Sequence, residues 1–182
     1  MTGHAERHIR LWLDDFVVGL NLCPFARPLL GAPNLRIAVC SASDNAAMRS
    51  AVLEELDLLQ RSTEQEIATT LLAFPDALQH FPDYLWFLDD AQMLLADAGL
   101  EGVVQLASFH PQYRFAGEAP DAASHYSNRA PYPLLHLLRE DMLSRALAEF
   151  TNPERIPDRN IETLNKIGVE ELERRWQAIF SR

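Results

Sequence analysis

Apolar residues recur along this chain at two spacings, and the switches between them predict an alternation of helices and strands. Ile9, Leu13, Phe16 and Leu20, with Trp12 and Val17 beside them, fall at helical spacing, so residues 6–22 are expected as an amphipathic helix. It should stop near Cys23-Pro24, because proline lacks a backbone donor and biases its predecessor away from helical torsions. Pro24, Pro28, Gly31 and Pro33 then predict an irregular connection. A short apolar strand follows over 35–40. Ser43 or Asp44 caps the next helix, whose stripe of Met48, Val52, Leu56 and Leu59 ends near Arg61.

Residues 67–74, rich in threonine and aliphatic side chains and closed by Pro75-Asp76, predict a second strand. Phe81-Pro82-Asp83 starts a helix that is apolar around most of its circumference through Ala98 and is therefore expected to be heavily buried, with Gly99 as its stop. A third strand spans 103–109. Residues 112–133 predict a long ordered loop restrained by Pro120, Pro131 and Pro133. Pro133 suits the first position of a helix reaching Phe150, with Leu135, Leu138, Met142 and Ala146 on one face; a strand over 134–139 is the competing reading. Beyond Thr151 a helix containing Ile161 and Leu164 and a last amphipathic helix over 169–180 complete the chain.

This alternation predicts an α/β fold: a single-domain layered sandwich with a small mixed sheet of about three to four strands flanked by helices. The expected organisation is one domain over 1–182, with an N-terminal helix at 6–22, an α/β core at 35–150 and a C-terminal helical segment at 158–181. Its 182 residues suit that size. No apolar run approaches the roughly 20 residues that span a bilayer, so no membrane partner is expected. The N-terminal residues carry no export signal, which makes the cytoplasm the expected compartment.

A formal charge of −10 argues against nucleic acid as a partner, since phosphate contacts need clustered positive charge. Lys166 is the one lysine, so positive charge is carried by arginine. Cys23 and Cys40 are expected as reduced thiols.

Candidate chemistry concentrates between Ser108 and Glu140. His110 stands at the end of the third strand, where open α/β sheets commonly present ligand-binding groups; it is either a general base or an imidazole that orders the adjoining loop. On the helical reading His136, Arg139 and Glu140 share one side, so that Arg139 and Arg129 receive an anion while Glu140 orients His136. On the strand reading Arg139 faces away from His136 and Glu140. Asn128 and Arg129 precede a proline-braced turn, which suits either preorganised recognition or loop bracing. Cys23 is an auxiliary or nucleophilic group, or else a buried inert thiol. Cys23, His110, His136 and Glu140 are acceptable metal ligands by type, but their spacing matches no metal motif, so no metal is assigned.

Four words in the sequence carry a resemblance: G-L-N-L-C-P-F-A from Gly19, A-S-F-H-P-x-Y-x-F-A-G from Ala107, N-R-x-P-Y-P-x-L-H-L-L-R-E from Asn128, and R-N-I-E-T-L from Arg159. Together they resemble the bacterial DUF1415 family of uncharacterised single-domain proteins, over nearly the whole chain. The resemblance implies no reaction. It marks Cys23, His110, Asn128, Arg129, His136, Arg139 and Glu140 as members of shared motifs. Two functional expectations follow. One is an enzyme acting on a small anionic metabolite, with His110, His136, Glu140 and Cys23 as catalytic groups and Arg129, Arg139 and Asn128 binding substrate. The other is a non-catalytic ligand-binding or protein-interaction module using the same ordered loop.

Overall fold

In the computed structural model, which describes residues 2–182, the threonine- and aliphatic-rich segments pair into one mixed sheet. Its strands are β1 (Leu35–Val39), β2 (Thr69–Ala73), β3 (Val104–Phe109) and β4 (Leu134–Arg139), in the order β1-β2-β4-β3. β1 and β2 run parallel, and β4 lies antiparallel between β2 and β3. The expected α/β sandwich is therefore present, with a corrected fourth element: residues 134–139 are a strand, and helix starts only at Glu140. β4, like β2, has a sheet neighbour on each side, and its leucines pack into the apolar clusters on both faces of the sheet, Leu135 and Leu137 on one and Leu134 on the other. A strand buried on both faces needs no polar alternation, and that is why L-L-H-L-L-R also fits a helical stripe.

Helices α2 (Asn45–Arg61) and α3 (Phe81–Asp97) cover one face of the sheet. The Asp44 carboxylate caps α2 by accepting from the Ala47 N–H at 2.9 Å, and Met48, Val52, Leu56 and Leu59 form its buried stripe. In α3 the burial is one-sided. Tyr84, Phe87, Ala91, Leu94 and Leu95 pack inward, whereas Trp86 and Met93 stand 76% and 60% exposed. The heavily buried helix expected from composition is thus an amphipathic helix with apolar residues also on its solvent side. Gly99 ends it at φ 70, a left-handed torsion that glycine adopts without steric cost.

The opposite face carries α1 (Thr2–Trp12), α4 (Glu140–Ala148), α5 (Ile156–Ile167) and α6 (Val169–Ala178). The expected helix over 6–22 does not run through as an α-helix. From Leu13 to Val18 it widens into a π-helical segment closed by a 2.8 Å bond from the Gly19 N–H to Asp14 O. Gly19 is required there: a Cβ would sit 2.5 Å from Asp15 O and 2.8 Å from Asp14 O, which no side chain tolerates. Asn21, at φ 54, then turns the chain toward Cys23.

The long loop is held by two fully buried histidines. His125 accepts from the Phe115 N–H at 3.2 Å through Nδ1 and pairs through Nε2 with Ala119 O at 2.8 Å. His110 does the same for its own turn, as described below. Among the described residues, no helix is long and apolar enough to cross a membrane.

Candidate ligand site

Side chains alternate across a strand, so β4 sends Leu134, His136 and Leu138 toward α1 and Leu135, Leu137 and Arg139 toward α2. The register sets His136 between Leu71 on β2 and Ala107 on β3. The methyl of Ala107 leaves room beside the imidazole ring. Above this part of the sheet lies a cavity of about 260 Å³, floored by Thr69, Leu71, Ala107 and His136 and roofed from the π-helical turn, the Cys-Pro connection and α4. Its walls are almost entirely apolar: Leu13, Val17, Phe25, Leu30, Met142 and Leu143 are among them.

Thr69 determines how His136 presents itself. The Thr69 hydroxyl donates to Leu137 O at 2.7 Å and also lies 2.7 Å from His136 Nε2. A hydroxyl has one proton, and a carbonyl oxygen can only accept, so the threonine oxygen must accept from Nε2–H. Nδ1 is therefore the unprotonated nitrogen, and the hydrogen bond the ring makes among the described residues runs through Nε2 to Thr69. Burial pushes the His136 pKa down to about 4, which keeps the ring neutral at physiological pH. Thr69, 67 positions away in sequence, had no marking beyond its place in a strand.

Cys23 is half-buried and lines this cavity; burial pushes its thiol pKa up, so the thiol stays protonated. With a neutral imidazole and a neutral thiol, the pair lacks the charge separation of an activated cysteine nucleophile. Cys23 also lines a second, more polar cavity of about 600 Å³ that shares Val17 and Phe109 with the first. The four sequence words meet around it. Asn160 of R-N-I-E-T-L donates to Leu22 O at 2.7 Å, while Phe115 and Asn128 come from the other two words.

The remaining candidates make the following contacts. His110 is fully buried against Phe81 and Tyr84; its Nδ1 accepts from the Gln112 N–H at 2.9 Å, which leaves Nε2 to donate to Leu78 O at 2.9 Å. Both nitrogens are thus committed to backbone, as in the loop-ordering reading. Asn128 donates to Ser108 O at 3.0 Å and accepts from the Ser127 hydroxyl at 2.9 Å. Arg129 stacks its guanidinium 4.5 Å over Tyr126, whose hydroxyl bonds Glu173. Arg139 reaches across to the end of α2 and bonds the carbonyls of Leu59, Ser62 and Ile67. Glu140 opens α4, and the partner of the His136 ring is Thr69 rather than this carboxylate. His110, Arg129 and His136 therefore do not share one pocket; of the candidates, Cys23, His136 and Arg139 line the same cavity. Among the described residues, no group of three or more His, Cys, Asp or Glu side chains is arranged to hold a metal ion.

These features define an α/β protein whose mixed sheet carries an apolar pocket with one histidine in its floor. Residues 4–174 match the family model described as a protein of unknown function, DUF1415, and the chain belongs to that family. Neither the curated proteins nor the solved structures contain a match to it.

Proposed function

We propose that this protein binds a small, largely apolar molecule in the cavity over His136, acting as a ligand-binding module. The observation that carries this reading is the cavity itself: about 260 Å³ of space with apolar walls, against interiors that otherwise pack to crystal density. An apolar cavity of about 150 Å³ already accepts benzene, so a substituted ring or a short alkyl chain fits this one. The free thiols and the charge of −10 are consistent with a cytoplasmic protein that has no nucleic-acid partner. Catalysis on a small anionic metabolite is the less supported reading, because Arg129 and Arg139 spend their guanidinium groups on Tyr126 and on backbone carbonyls.

The test is titration of the native protein with propylbenzene, followed by NMR. Saturable binding at one site, with shifts confined to residues around His136, is the expected result. Filling the cavity with Ala146→Phe, or independently with Ala26→Phe from the opposite wall, should abolish it. Native protein that fails to bind up to the solubility limit, or folded variants that bind as well as the native chain, would overturn the reading.

A further inference from the structure

The same site carries a statement about the molecule's polar end. We infer that the ligand carries a neutral hydroxyl, alcoholic or phenolic, which donates its proton to Nδ1 of His136. This inference rests on the cavity-binding reading and narrows it to a chemical class.

The argument begins with the tautomer. Because Thr69 holds Nε2–H, His136 can offer its ligand only an acceptor. The ring that carries that acceptor lies in the floor of a cavity whose other walls supply almost nothing polar. A pure hydrocarbon in the cavity would strip water from Nδ1 and return no hydrogen bond, and an unpaired buried acceptor is costly. A carboxylate would bring a second acceptor against the first. The arginine that lines the cavity, Arg139, has its guanidinium already engaged by Leu59, Ser62 and Ile67. A hydroxyl satisfies the lone pair without bringing charge into apolar surroundings. The half-buried Cys23 is a weak hydrogen-bonding partner and does not compete with the imidazole for it.

Matched probes separate the possibilities: 4-propylphenol, 4-propylanisole, propylbenzene and 4-propylbenzoate, each titrated calorimetrically into the full chain at pH 7.5. The phenol should bind about tenfold more tightly than the anisole, the upper range for one neutral hydrogen bond. The benzoate should bind weakest. The ¹⁵N resonance of His136 Nδ1 should move with the phenol and not with the anisole. In His136→Phe the preference for phenol over anisole should vanish. Thr69→Val, close in shape to the native residue, should reduce the preference by releasing the ring from its fixed tautomer. Equal binding of phenol and anisole by the native protein would overturn the inference and leave the apolar pocket standing, as would tightest binding by the benzoate. Binding of none of the four would instead remove the pocket reading on which the inference rests.

Discussion

Nη2 of Arg139 lies 2.7 Å from the carbonyl oxygen of Ser62, the residue that ends α2, and so ties the last turn of that helix to the end of β4. Helix C-termini leave carbonyls without intrahelical partners, and here a guanidinium supplies the donors, reaching Leu59 O and Ile67 O as well. Arg139→Met should therefore cost about 3 kcal/mol, the range for leaving buried carbonyls without charged donors. Arg139→Lys should recover little, since an ammonium cannot span the same fork of acceptors. Urea unfolding of the three proteins measures both differences. Equal stability of native and Met variants would show that the clamp contributes nothing.

Gly19→Ala places a methyl where the backbone oxygens of Asp14 and Asp15 already stand. The π-helical turn must then shift, and overpacking of this kind costs about 2 kcal/mol. Thermal unfolding should report the loss. Retention of the native melting temperature would mean that the turn relaxes freely.

The neutral His136 makes stability depend on pH in a definite direction. Its folded pKa of about 4 lies below the ordinary 6.5, so the unfolded chain takes up a proton first as pH falls. The stabilisation is complete above about pH 6.5 and is lost as pH falls toward 4, by on the order of 3 kcal/mol in total. His110, Glu171 and Glu173 are shifted downward too and add to the same trend. Their effect cancels in a comparison with His136→Phe. Urea unfolding at pH 7.5 and pH 4.5 should give a smaller pH-dependent loss for the variant; parallel losses would refute the assignment.

His110 holds Leu78 in a left-handed conformation at φ 59, a torsion that a leucine adopts only against steric cost. His110→Phe removes both backbone bonds and should cost about 2 kcal/mol. Hydrogen exchange at the Gln112 amide should accelerate more than exchange within the central strands. Uniform acceleration across the chain would point to global destabilisation instead of a loosened loop.

How far the residues alone disclose this architecture depends on where each element finds its partners. Asp44 and the Met48–Leu59 stripe are local signals, decided within a few turns of helix, and they appear in the structure as expected. So do β1, β2 and β3, bounded by turn residues. Leu134–Arg139 is different, because strand and helix both accommodate its leucines. The deciding interactions are ladder bonds to Thr69–Ala73 and Val104–Phe109, distant in sequence. The site follows the same division. His136 stands out as a histidine inside an apolar word, but its relation to Arg139 changes with the secondary structure: three residues apart share a helix face and oppose each other on a strand. Thr69 carries no local mark at all. Its role arises only when β2 and β4 pair.

The position of β4 also sets an order of assembly. β3 occupies the edge of the sheet, and its neighbour within the sheet is β4, the last strand to be synthesised. A nascent chain that has reached residue 133 can join β1 to β2, yet has nothing in the sheet with which to align β3. Insertion of residues 134–139 aligns both halves in one step and delivers His136 to the floor of the cavity in the same movement. Pairings so distant in sequence form slowly. A molecule that occupies the cavity recognises only the finished sheet, and by mass action it would draw late-folding chains toward completion.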